Sequence, residues 1–294
     1  MGLRQPRADQ PGMALVIVLW ITALLAVMAG SFAYSMRIET RLAASMVERV
    51  QAQELAEAGV AYALAWQLDP EARKQWPPNG DERVWSFGAG QLRIQVVDAS
   101  GLINLNTADA ELLKKLLTAA GVASGDQDRL AEAILEQRNP DERQRLGAKP
   151  SAAAFSPRLR PAGFESIEDL QQVPGMTPAI YARIASLMTV FSQHRGVNPG
   201  LAPARVLLAL GMDERAVADY VQSRARAAAD GLPPPPVAID QGQFVSFQMN
   251  ANVYHVRVIA ETATGATALV EAVIDNQRTN LGKLPRGLMW RDGR

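Results

Sequence analysis

The chain has 294 residues, with 30 basic and 30 acidic side chains, 48% apolar composition and no cysteine. This excludes collagenous, disulfide-stapled and wholly disordered classes, together with thiolate catalysis and thiolate metal ligation. A formal charge of zero supplies no overall field toward nucleic acid or anionic lipid. The two histidines, His194 and His255, lie in unrelated segments, which argues against a multi-histidine metal site.

From Met13 to Met36 the sequence MALVIVLWITALLAVMAGSFAYSM carries no charge, and such a run is long enough to cross a bilayer as one helix. Its only polar side chains besides Tyr34 are Thr22, Ser31 and Ser35, so it lacks the polar stripe of a surface helix. Arg4 and Arg7 precede it and Arg37 and Arg41 follow it, a tie in the positive charges that would orient it. A conventional secretory signal is the competing reading, with small-residue sites that would start the product at Gly30 or Tyr34. Against that, the helical pattern continues. Ile38, Leu42, Met46 and Val50 recur every four residues, Leu55, Ala58, Tyr62 and Trp66 follow, and no proline intervenes before Pro70. One helix from Met13 to about Leu68 is predicted, about 80 Å at 1.5 Å per residue.

Asp69-Pro70 ends this helix, and Trp76-Pro77-Pro78-Asn79-Gly80 reads as a turn-rich connection. Arg83 to Phe87 and Gln91 to Val97 form a predicted hairpin, with Leu92, Ile94 and Val96 alternating inward. From Asn104 to about Gly231 helices and loops are predicted without a strand. A helix over AELLKKLLTAAG is capped by Asn106 or Thr107, with Asp109 adding charge to its first turn. Others cover Leu130 to Gln137, Ser166 to Gln172 with Asp169 completing a weak capping box, Thr177-Pro178 to about Thr189, Ala204 to Leu210, and Asp213 to Ala229. Asn139 to Pro161 reads as loop, and the proline run after Gly231 as a stiff linker. Strands return at Gln243 to Met249, Asn252 to Glu261 and Ala268 to Asp275, the last two joined at Thr264-Gly265; the tail from Asn276 reads as loop with a short strand. His255 falls on the more polar face of its strand, which suits a solvent or cross-strand role better than ligation.

The stretch Val173-Pro174-Gly175-Met176-Thr177 resembles a helix-hairpin-helix, a module that often binds DNA phosphate. Thr177 replaces its second glycine, and Ala179-Ile180-Tyr181-Ala182 precede a lone Arg183 where a basic cluster is needed, so no nucleic-acid partner is expected. A membrane-anchored DNA-binding protein is the alternative function. Acidic groups such as Asp126 with Asp128, Glu132 with Glu136, and Asp141 with Glu142 fit helix starts and solvated faces. None matches an EF-hand loop, and no Gly-x-Ser-x-Gly element occurs. No enzyme is predicted.

A short basic leader ending at Gly12, followed by Met13-Ala14-Leu15 and an apolar helix running into an amphipathic spine, resembles the class III signal of type IV pilins and type II secretion pseudopilins. The resemblance implies cleavage by a prepilin peptidase between Gly12 and Met13, with methylation of Met13. Most members of that family carry glutamate at the fifth mature position, where this chain has Ile17. A carboxylate inside a bilayer is retained for a partner, and the members that lack it are the K-class minor pseudopilins, placed at the filament tip with no subunit ahead to neutralise. Gly101-Leu102-Ile103-Asn104-Leu105-Asn106-Thr107-Ala108, Phe164 to Gly175, and Gly196-Val197-Asn198-Pro199 are also similar to recurring segments of that class.

The fold so implied is α+β and pilin-like: an N-terminal transmembrane and spine helix packed on a small antiparallel sheet, with a large all-helical domain inserted in the sheet. The divisions are a leader at 1–12, a transmembrane helix at 13–36, a spine at 37–69, an α/β domain at 70–103 and 232–294, and the insertion at 104–231. The resemblance further implies residence in the inner membrane as a single-pass protein with its bulk in the periplasm. Its partners would be minor pseudopilins of the I and J classes and the prepilin peptidase. No cofactor is required, and calcium, bound by some relatives, has no assignable ligands here.

Overall fold

The structure, a computed structural model, describes residues 11–139, 163–237, 244–245, 251–276 and 285–293. The leader before Pro11, nearly all of the loop expected at Asn139 to Pro161, most of the strand expected at Gln243 to Met249, and part of the tail lie outside these residues. Contacts divide the chain into two compact units at Gln51, which are described separately.

From Pro11 to Gln51 the chain is helical, the first part of α1 (Pro11–Leu68). The large apolar residues from Met13 to Val50, among them Leu19, Trp20, Val27 and Phe32, are exposed. Within the apolar run the Thr22 hydroxyl donates to Leu19 O at 2.9 Å, which satisfies it without an outside partner, as hydrocarbon requires. The helix is long and apolar enough to cross a membrane once.

In the second unit, the end of α1 packs on a five-stranded antiparallel sheet of order β1-β2-β5-β6-β7, made by β1 (Asn79–Phe87), β2 (Gly90–Asp98), β5 (Val253–Thr262), β6 (Thr267–Asp275) and β7 (Arg286–Gly293). The expected inward set Leu92, Ile94 and Val96 is fully buried, beside Tyr254, Val256, Val258 and Ala260 of β5. Sheet-packing positions on α1 begin at Ala52 and continue with Ala56, Gly59, Val60 and Ala63. The larger Leu55, Tyr62 and Trp66 are partly buried and flank the seam that these small residues form. Small side chains let the helix axis come close. A Cβ on Gly59 would lie 2.6 Å from Val258 Cγ1 and 2.8 Å from Leu92 Cδ2, so the one weak helix former in this stretch is required by contact.

Between α1 and the sheet, Asp69 caps a short helix, α2 (Pro70–Gln75), by accepting from Glu71 N at 2.9 Å. β1 then starts at Asn79, inside the expected turn. The tail strand is longer than expected and pairs with β6 through seven residue pairs. Gln53 Nε2 donates to Asp292 Oδ1 at 2.8 Å and ties that strand to α1.

The helical block is inserted between β2 and β5. It contains α3 (Ala110–Ala119), α4 (Ser124–Arg138), a 3-10 turn at Ile167–Gln172, α5 (Pro178–Ile184), α6 (Ala204–Ala209) and α7 (Glu214–Ala229) around Leu112, Leu116, Leu170, Val206 and Leu207. The N-cap of α3 is Asp109, which accepts from Leu112 N at 2.8 Å; the expected caps Asn106 and Thr107 are used elsewhere. Thr177 and Asp213 cap α5 and α7 as expected, accepting from Ile180 N and Ala216 N. The helix from Pro178 stops at Ile184, well short of Thr189. A 3-10 turn at Ala185–Leu187 leads instead into β4 (Met188–Thr189), which pairs in parallel with β3 (Ile103–Asn104). Strands of two buried residues have no period to read, so the expectation of a strand-free block fails there.

The α3–α4 and α6–α7 hairpins repeat one design. Gly121 and Gly211 take φ of 73° and 100°, and the amides of Val122 and Met212 donate back to Leu117 O at 3.0 Å and Leu207 O at 3.3 Å. These are helix ends that only a left-handed glycine closes cheaply. Ahead of each hairpin an asparagine bends the chain: Asn104 Oδ1 accepts from Asn106 N at 2.7 Å, and Asn198 Oδ1 from Gly200 N at 3.0 Å.

Candidate functional site

Gly12 and Met13 fall in the first turns of α1, and Ile17 lies one turn on with its side chain 57% exposed. The three expected processing and position residues therefore share one helical segment. From Met13 onward its large apolar side chains are exposed, a surface suited to lipid or to other helices.

In the insertion, the similar segments noted above act as pins. Asn106 Oδ1 accepts from Phe164 N at 2.7 Å while its Nδ2 donates to Phe164 O at 2.9 Å, holding both backbone groups of one distant residue. Asn104 Nδ2 donates to Ser192 O, and Thr107 Oγ1 to His194 O at 2.5 Å. Arg224, with a side chain 3% exposed, donates to Pro199 O at 3.1 Å and Ala202 O at 2.5 Å. Burial pushes its pKa down from the usual guanidinium range, and Asp81 lies 3.8 Å away.

Asp98 joins the insertion to the sheet. Its Oδ1 accepts from Ser100 N at 2.8 Å, Ser100 Oγ at 2.6 Å and Ala251 N at 3.0 Å, and its Oδ2 from Asn252 N at 3.0 Å. Burial raises the carboxyl above its ordinary value, and these hydrogen bonds partly oppose the rise. Its role was readable from phase, since residue 98 continues the inward series of Leu92, Ile94 and Val96 yet carries a charge. Thr189 had no such signal.

His255 is half-buried, and its Nε2 lies 3.0 Å from Thr189 Oγ1 of β4. Beside it, Phe191, Ala99, Val253 and Val273 pack together, so this end of the polar face is partly covered by the insertion. Burial pushes the imidazole down to about 4. The depressed value means that the stabilising neutral contact is complete above the ordinary pKa of 6.5 and is lost as pH falls through about 4. On acidification from pH 7 to 4, the wild-type protein should lose about 2 kcal/mol more stability than His255→Gln. Equal losses in chemical denaturation across that range would remove His255 from the account.

The Gly175 hairpin borders a cleft of about 620 Å³ whose lining includes Val122, Leu130, Pro174 and Ile180 together with Arg129 and Arg183. Arg183 Nη1 donates to Ala120 O at 2.7 Å, and Arg129 pairs with Asp126. Met176 N, the amide following the positive-φ glycine, donates to Val173 O at 3.0 Å. Both cations and this amide are thus already engaged, which disfavours a phosphate-binding role. Asp126 and Asp128 are helical, and Asp128 lies 2.8 Å from Lys114 Nζ. Among the described residues no three of His, Asp or Glu converge on a metal position; Asp141 and Glu142 lie outside them.

Residues 94–193 match the family model described as type II secretion system (T2SS), protein K. No curated protein matches the chain. Among solved structures, the fold is similar to a chain of the GspK-GspI-GspJ complex from the type 2 secretion system of enterotoxigenic Escherichia coli. The TM-score is 0.54 and the identity 15%, covering 88% of this chain and 99% of that one. The protein thus resembles the K-class minor pseudopilins in sequence from the second half of β2 through about two thirds of the insertion, and in fold over most of its length.

Proposed function

We propose that this protein is a K-class minor pseudopilin of a type II secretion system, a non-enzymatic subunit at the tip of a periplasmic pseudopilus that supports export across the outer membrane. The observation that carries the reading is the pairing of an exposed, uncharged helix from Met13 to Met36 with a sheet domain interrupted by a helical block. The helix anchors the subunit in the inner membrane and later packs among neighbouring stems, while the bulk of the chain stands in the periplasm. The prepilin peptidase cuts between Gly12 and Met13 and the new amine of Met13 is methylated. Ile17 leaves no carboxylate in the apolar segment, in keeping with a subunit that has none ahead of it. An insertion of this size does not fit laterally inside a tight helical array, and at the tip it ends growth. The solved neighbour was captured with GspI and GspJ, and the corresponding I-class and J-class minor pseudopilins are the partners proposed here.

The mature amino terminus decides the matter. Mass spectrometry of the protein purified from membranes should find N-methyl-Met13. A product that starts at Gly30 or Tyr34 would have lost the anchor and with it the mechanism of assembly.

A further inference from the structure

The outer edge of the sheet carries an aromatic surface that neither folding nor anchoring uses up. β1 is an edge strand, and Arg83, Trp85 and Phe87 alternate on the face that α1 covers, opposite Ile94, Leu92 and Gly90 of β2. The Trp85 ring stacks on Tyr62 of α1 at 4.1 Å between centroids and 9° between planes, and on Phe87 at 4.8 Å. Phe87 remains 49% exposed, and Tyr62, Trp66 and Trp85 are half-buried. The Arg83 guanidinium lies 4.0 Å above the Trp66 ring and 5.3 Å from Trp76.

Among the described residues no carboxylate pairs with Arg83. The contact with the two indoles restrains the Arg83 side chain on this surface, so less entropy is lost when a carboxylate meets it than for a freely rotating arginine. Arginine with tryptophan and tyrosine is also the composition of interface hot spots. The neighbouring Asp81 and Glu82 of β1 repel polyanions, which turns the choice of occupant from nucleic acid or anionic lipid toward a protein surface with one well-placed acid.

We propose that this edge is a docking surface for a neighbouring pilin-like subunit, which lays an apolar patch on Trp85 and Phe87 and sets a carboxylate against Arg83. The inference rests on the assignment as a minor pseudopilin and adds the surface through which a partner is held.

The test uses the full-length protein in detergent, with full-length I-class and J-class minor pseudopilins of the same secretion system as probes. Affinity is measured for wild type, Arg83→Glu and Phe87→Asp, each with its thermal midpoint. Both variants should weaken capture of one partner at least tenfold while melting within a few degrees of wild type, and Arg83→Lys should fall between. Variants that bind like wild type overturn the docking surface and leave the functional assignment standing. A wild-type protein that captures neither partner overturns both. Should a variant melt early, the surface exchange is repeated with Val84→Asp, on the opposite face of β1 and 54% exposed: loss there too would overturn the assignment of this face.

Discussion

Gly101→Ala should destabilise the protein by about 3 kcal/mol, the upper end for overpacking a tight interior, and lower its midpoint by roughly 6–12 °C for a chain region of this size. Gly101 is buried at the end of the 3-10 turn Ala99–Gly101, where the chain leaves the sheet for the insertion. An added Cβ would sit 2.2 Å from Leu201 O, 2.5 Å from Leu201 C and 3.0 Å from Ala202 N. These are backbone atoms, so no rotamer change relieves the clash. The segment they belong to is also held from behind. Asn198 N donates to Ser100 O at 2.7 Å, Leu201 N to Asn198 O at 3.1 Å, and Arg224 grips the carbonyls of Pro199 and Ala202. The methyl can be accommodated only if the Gly196–Ala202 loop lifts, which loosens the insertion where it meets the sheet. Gly125→Ala is the matched control: it lies in the exposed first turn of α4 with nothing within 4 Å of its added carbon, and should be neutral or stabilising by about 0.5–1 kcal/mol. Thermal unfolding of both variants in detergent checks the pair. Similar midpoints for the two would mean that the contact at Leu201 is not confining.

The same contrast explains what could be read from residues alone. The long helix, the β1–β2 hairpin and the inward set of β2 follow from local signals, an uncharged run or an alternation, that survive any tertiary arrangement. The seam of α1 does not. Periodicity marked Leu55, Tyr62 and Trp66 because large residues dominate hydrophobicity, yet the sheet comes closest at Ala56, Gly59 and Ala63, where the absence of bulk is the signal. Capping was legible when the acceptor stood directly before a run, as at Thr177 and Asp213. It failed at Asn106, whose side chain is spent on Phe164, 58 residues away. β3 and β4, and with them the Thr189 contact to His255, exist only because two distant dipeptides meet. The expectations for Gly12, Met13 and Ile17 came from a local pattern alone. The aromatic edge combines Trp66 of α1 with Arg83 of β1, and no single stretch of sequence contains both.

Asp98→Ala should cost about 4 kcal/mol, because four donors lose their buried acceptor at once and each such loss is worth about 1 kcal/mol. The site is where the insertion begins and ends: Asp98 closes β2, and the chain returns to the sheet through Ala251 and Asn252 into β5. One carboxylate therefore clasps the outgoing turn, through Ser100, and the returning one. The return is itself under strain, since Asn252 takes φ of 50°, in a region that side chains other than glycine enter at a cost. The bond from Asn252 N to Asp98 Oδ2 helps hold it there. Asp98→Asn preserves shape and the acceptor toward Ser100 and Ala251, but turns an N–H group toward Asn252 N, so it should lose roughly half as much as alanine. Asn252→Gly in the Asp98→Ala background should recover part of the loss by relieving the backbone. The order to be found in denaturant unfolding is wild type, Asp98→Asn, then Asp98→Ala, with the double variant above the last. An alanine variant within about 0.5 kcal/mol of wild type would show that the insertion is seated by its apolar contacts, Phe191 on Val253 and Val273, and that Asp98 contributes nothing to holding it.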